Sequence, residues 1–252
     1  MEKLIQTEPL EALTEEQEQL EDVLLAVDDE GAAGRESACP GWTICDVVLH
    51  LAQTEEMVVA SITGEGAPSF DGGGATNVDE LMQRWVETER SGSFEEVRER
   101  WMEARRAALG ALESADPTAS FTWAAAPLKP RTLATTRLSE HWIHAQDVAV
   151  PLGIDYPDTD RLWHIARLAH RTIPYAFMRA GAEAAPDVYL ELKGPAGDEW
   201  TFGEPAAQVR IEGDAGQFCR VAARRMDASA AEGLSASGER ADEVMNLVRT
   251  YA

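Results

Sequence analysis

The sequence predicts a two-part protein of class α + (α+β): a helical bundle over residues 1–184, followed by a small α+β domain over residues 185–252. Three observations carry this. Successive segments up to residue 184 repeat apolar residues at helical spacing, between loops rich in glycine and proline. From Ala185 the texture changes to short runs of alternating apolar residues. With 252 residues, 44% of them hydrophobic, the chain can build a proper core without covalent staples.

The elements follow in order. PLEALTEEQEQLEDVLLAV sets Leu10, Leu13, Leu20, Val23, Leu24 and Val27 on one helical face and acids on the other, and Gly31 and Gly34 end it. After GAAGRESACPGW, Thr43 precedes Asp46 by three residues, a capping box with Asp in place of Glu, opening a helix that runs to Gly64. Residues 65–75, EGAPSFDGGGA, read as a flexible loop before a third helix from about Asn77 to Ser91. Ser93 then caps FEEVRERWMEARRAALGALESA. ADPTASFTWAAAPLKPRT, with three prolines, is an irregular crossing into a helix from about Leu133 to Leu152. Pro151, Gly153 and Pro157 close that helix. DTDRLWHIARLAHRTIPYAFMRAG is the next, and Pro174 inside its pattern predicts a kink or break near Thr172. VYLELKG and EWTFGE read as a hairpin, AAQVRIEGD as a third strand, and GQFCRVAARRM and ERADEVMNLVRTYA as helices on either side of SASGE.

Composition narrows the function. A formal net charge of -23 repels phosphate backbones and anionic membrane surfaces, so neither nucleic acid nor membrane is an expected partner. No long apolar run and no basic leader is present, which places the protein in the cytoplasm. Cys39, Cys45 and Cys219 match no zinc-finger or redox spacing and read as reduced structural thiols.

Chemistry concentrates in RLSEHWIHAQDV, residues 137–148. Residues four apart on a helix lie one above the other, so Glu140 and His144 project side by side, with Arg137 and Asp147 extending the stripe by a turn each way. His141 points about 100° away. Alone, this pattern is also that of an exposed helix face. His50 adds to it by interrupting an apolar stripe of Val47, Leu51, Thr54 and Val58, where a histidine is either a hydrogen-bonded core residue or a ligand. Two helices offering such groups to a bundle interior make a three-ligand metal site with open positions chemically sensible.

CPGWTICDVVLHLA, followed about ninety residues later by RLSEHWIHAQDVAVPLG, resembles the paired signature of DinB-like metalloenzymes of the mycothiol-dependent maleylpyruvate isomerase group. The resemblance implies an up-down-down-up four-helix bundle joined to a C-terminal domain similar to sterol carrier protein 2. It also implies metal ligands at His50, Glu140 and His144, with Pro40, Gly41 and Trp42 as a structural start to the helix. The family's C-terminal domain contributes an arginine, for which the nearest match is Arg225, with Arg224 beside it.

The implied chemistry is an enzyme in which a divalent metal (zinc, with nickel, iron or manganese as alternatives) holds a low-molecular-weight thiol, mycothiol or a similar one, as a thiolate. The thiolate adds to a small electrophilic substrate, giving cis-trans isomerisation or S-transfer. Arg137 pairs a substrate carboxylate or orients Glu140, and Asp147 receives a histidine N–H or merely lines the helix surface. Two other readings stay open: a metal-hydroxide hydrolase or lyase, and a non-catalytic protein that binds a small ligand.

Overall fold

The computed structural model describes residues 7–27, 30–64, 78–123 and 126–250, so the loop expected at 65–75 and the expected helix start at Asn77 lie outside the described residues. The chain divides into two compact units, Glu8–Tyr156 and a second formed by the chain from Pro157 onward together with Thr7. The helix carrying Pro174, placed with the bundle on sequence grounds, groups with the C-terminal sheet.

The first unit is helical. Its long helices are α1 (Pro9–Leu25), α3 (Ile44–Thr63), α5 (Phe94–Ser114) and α6 (Pro130–Leu152), with a single turn α2 (Glu30–Ala33) and a shorter α4 (Val78–Glu89). α3 packs on α5 and α1 on α6, and α3 also meets α6. Local chemistry fixes the ends that matter. The Thr43 hydroxyl accepts from the Asp46 backbone N–H while the Asp46 carboxylate accepts from the Thr43 backbone N–H at 2.8 Å, the capping box expected from sequence. Ser93 and Glu96 repeat the device on α5. Gly64 and Gly153 end α3 and α6 in left-handed conformations that glycine adopts without steric cost.

α6 starts three residues earlier than expected, because Pro130 occupies the first helical turn, where its missing N–H costs nothing. Its burial is not one-sided: most positions from Leu133 to Ala149 are inside, including Arg137, His141, His144 and Asp147. Each of those polar groups therefore requires a partner.

The second unit contains α7 (Leu162–Arg179), strands β1 (Val188–Lys193), β2 (Glu199–Phe202), β3 (Val209–Asp214) and β4 (Leu234–Ser237), and helices α8 (Ala215–Ala222) and α9 (Ala241–Leu247). The sheet order is β2-β1-β3-β4, with β1 and β3 parallel and both outer pairs antiparallel. Of the kink or break expected near Thr172, the break does not occur: α7 runs unbroken through Pro174. Ile173, Ala176 and Phe177 bury on either side of it, and packing outweighs one lost backbone hydrogen bond. β4, LSAS, was not expected, since only its ladder to β3 makes it a strand.

All three cysteines are free thiols. Burial, reinforced by Asp46 and Glu30, pushes the Cys45 thiol up to about 11, and burial holds Cys219 well above its usual range, so both are poor nucleophiles. Among the described residues, no helix is long and apolar enough to cross a membrane.

Candidate metal centre

His50 lies about two turns into α3, and Glu140 and His144 lie one turn apart on α6. The structure brings these three together. His50 Nε2 stands 3.7 Å and His144 Nε2 3.6 Å from the same oxygen, Glu140 Oε2, and one ligand atom from each residue lies within 4.8 Å of the others. These separations exceed hydrogen-bonding distance. Two donors bound to one tetrahedral zinc at about 2.1 Å stand roughly 3.4 Å apart, close to the two separations measured from Glu140. Among the described residues it is the one such cluster of His, Cys, Asp and Glu.

The tautomer of His144 is set by its other nitrogen. Nδ1 donates to the buried Asp147 Oδ2 at 2.9 Å, leaving the Nε2 lone pair aimed at Glu140. His50 Nδ1 is buried without a partner, and its ring lies against Trp42, with centroids 4.9 Å apart. The Trp42 indole also stacks on His144 at 6.1 Å and anchors its N–H on Gln83, so it walls the pair of imidazoles.

Electrostatics follow from these contacts. Burial drives the His50 pKa down to about 4, against the pull of Glu140, so the ring stands neutral. Burial also opposes charge on His144, but the bonds to Asp147 and then Glu140 outweigh it and raise its pKa. Glu140 is held well below the usual carboxylate range: burial works against it, and the two histidines and Arg137 overcome that. Two imidazole nitrogens and a carboxylate oxygen facing one point suit a divalent metal, and three protein ligands are one fewer than a tetrahedral cation takes.

His141 does not join them. Its Nδ1 donates to the Arg137 carbonyl at 2.9 Å, while Nε2 accepts from the Trp101 indole at 3.3 Å and faces Gln17 at 3.4 Å, and burial keeps its pKa far below normal. It is a neutral core histidine.

Arg137 is equally buried, but neither of its bonds goes to Glu140. Its Nε donates to Glu55 Oε1 at 3.0 Å and its Nη2 to Thr54 Oγ1 at 2.7 Å, both on α3. Glu55, fully buried, escaped the sequence reading. The signal was present in Arg137 itself, since a buried guanidinium demands a counter-ion. Arg225 belongs to the second unit, just past α8, where its guanidinium donates to the Ala223 carbonyl at 3.2 Å.

Residues 13–149 match the profile of the mycothiol maleylpyruvate isomerase N-terminal domain, more than half of the chain. The chain belongs to this family. Two uncharacterized proteins of Mycobacterium tuberculosis, from strains CDC 1551 / Oshkosh and ATCC 25618 / H37Rv, are each 31% identical to this family member over 215 residues, 84% of this chain and 83% of theirs. Two crystal structures of mycothiol-dependent maleylpyruvate isomerase share its fold. The enzyme itself superposes with a TM-score of 0.60 at 18% identity, and a histidine-to-alanine mutant of it with 0.61 at 16%, each over 91% of this chain and 92% of the other.

Proposed function

We propose that the protein is a thiol-dependent enzyme that holds a divalent cation, zinc in the first instance, on His50, Glu140 and His144. It uses a low-molecular-weight thiol, mycothiol or a close analogue, to attack a small electrophile, with cis-trans isomerisation or S-transfer as the outcome. The observation that carries this is the convergence of three ligand atoms on one point, with Asp147 fixing the tautomer of His144. Membership of a family named for a mycothiol-dependent isomerase supports the choice of thiol.

A cation bound there lowers the pKa of an entering thiol, so that a sulfur nucleophile is available at neutral pH. The chain's own residues provide the setting. His50, neutral through burial, and His144, locked by Asp147, present lone pairs without rotating away. Trp42 excludes water from one side of both rings. Arg225 is read as the attraction for an anionic substrate group in a strongly anionic protein. The sheet-containing unit is read as the domain similar to sterol carrier protein 2, and the first unit as the DinB-like bundle.

The test is metal analysis of the purified protein and its variants. Wild type is expected to carry a stoichiometric divalent metal, and His50→Ala and His144→Ala to lose most of it. A cobalt-substituted sample is expected to develop sulfur-to-metal absorption on addition of mycothiol. Full metal occupancy in both variants sinks the site, and turnover of substrate with water and no thiol response favours hydrolysis.

A further inference from the structure

The buried pair beside the site calls for a role. Arg137 is 1% exposed and Glu55 fully buried, and each comes from a different ligand-bearing helix. The guanidinium also donates to Thr54 Oγ1 at 2.7 Å, and that hydroxyl donates in turn to the His50 carbonyl at 2.8 Å. The donor arithmetic closes: the hydroxyl accepts from arginine and gives its one proton to the α3 backbone, within the turn that begins at His50. On α6, Arg137 precedes Glu140 by three residues and His144 by seven, on the same helical face. The cross-link thus sits about one turn from the ligands on both helices, which run antiparallel where they meet.

An apolar pair of the same volume holds two helices together as well as a buried ion pair does, or better. What it lacks is direction. A planar guanidinium with one nitrogen on a carboxylate and another on a hydroxyl tolerates little sliding of one helix along the other. Glu55 pairs with Arg137 although burial pushes the Glu55 pKa up, and the arginine still acts on the site as one of the charges that hold Glu140 low.

We propose that Arg137 is a positioning residue: by fastening α6 to Thr54 and Glu55 of α3, it sets the spacing of His50 from Glu140 and His144. This rests on the metal reading of the site and assigns the arginine to the site's framework. It does not bind substrate.

Three variants test it with zinc alone and cobalt alone. Glu55→Leu combined with Arg137→Met replaces the pair by apolar groups, and thermal unfolding is expected to stay at or above the wild-type midpoint. Zinc affinity, measured by competition with a chromophoric chelator, is expected to fall roughly tenfold to a hundredfold, and the cobalt absorption spectrum to change. Arg137→Lys, able to reach one acceptor but not fork between two, is expected to fall between this variant and wild type. Thr54→Val removes the acceptor for Arg137 Nη2 and with it the link to the His50 turn, and is expected to weaken zinc binding several-fold while the protein stays folded. A folded double variant with wild-type zinc affinity and cobalt spectrum overturns the proposal. Should the double variant not fold, wild-type values in Thr54→Val overturn it. Wild-type protein that binds neither zinc nor cobalt overturns the metal reading itself, and this inference with it.

Discussion

Replacing Asp147 with asparagine is expected to weaken zinc binding by roughly tenfold to a hundredfold, or about 1.4–2.7 kcal/mol. The substitution is nearly isosteric, and an amide oxygen still accepts the His144 Nδ1–H now held at 2.9 Å. The Asp147 backbone carbonyl keeps its bond from the Ala38 N–H, so the chain path is undisturbed. What disappears is a buried negative charge that makes the imidazole a stronger donor. The pH dependence gives the sharper test. Without metal, burial opposes protonation of His144, but Asp147 and Glu140 outweigh it and raise its pKa above the ordinary 6.5. The cation must displace that proton, so wild-type affinity climbs as pH rises through the raised pKa and then levels off. In Asp147→Asn the proton loses its main partner and leaves at lower pH, so the variant reaches its plateau sooner. The deficit is therefore greatest at alkaline pH and narrows toward about pH 6. Chelator competition across pH, with circular dichroism to confirm folding, measures this. Equal plateau affinities, or a deficit that widens as pH falls, refute the reasoning.

His141→Leu removes the acceptor for the fully buried Trp101 indole N–H and is expected to cost about 1–3 kcal/mol in urea unfolding. It should leave metal content unchanged, and metal loss like that of His144→Ala would contradict its placement in the core. Gly213→Ala forces a side chain onto a backbone at φ +131°, with its Cβ overlapping the Gly233 carbonyl oxygen. It is expected to cost more than about 1–3 kcal/mol, and an unchanged midpoint of unfolding counts against the β3–β4 geometry. Chelation of the metal is expected to lower the unfolding midpoint by roughly 5–11 °C, from about 2.7 kcal/mol of linkage at a hundredfold excess over Kd. In His50→Ala the remaining ligands share one helix, so metal no longer joins α3 to α6. A chelation shift as large as wild type's would argue against a site spanning two helices.

What the sequence made legible was local. Thr43 with Asp46, Ser93 with Glu96, and the glycines after α3 and α6 are signals complete within a few residues, and the structure has each of them. Glu140 and His144 were paired by helical spacing, which needs no tertiary information. Spacing also separated His141 from them, but it did not indicate that this histidine closes a buried network with Trp101 and Gln17. Arg137 was harder for the same reason. Periodicity tells which face a residue occupies and nothing of what meets that face, so Glu55, 82 residues away, had no local signature. The edge strand LSAS is polar and mostly exposed, and becomes a strand only because β3 offers a ladder. α7 shows the converse: Pro174 reads as a kink or a break, and apolar neighbours buried on both sides keep the helix continuous through it.

The charge balance of the site differs from that of the chain. A divalent cation on His50, Glu140 and His144 would be matched by two carboxylates, Glu140 directly and Asp147 through His144, while Arg137 and Glu55 match each other beside them. The interior is thus close to neutral although the whole chain carries a formal charge of -23. Salt screens exposed charges over about 8–10 Å and buried pairs far less. Metal affinity should therefore respond little to ionic strength. The approach of an anionic electrophile, which meets the outer field first, should respond strongly, rising as salt screens the repulsion. The two dependences separate what the buried residues do for the metal from what the surface does to the substrate.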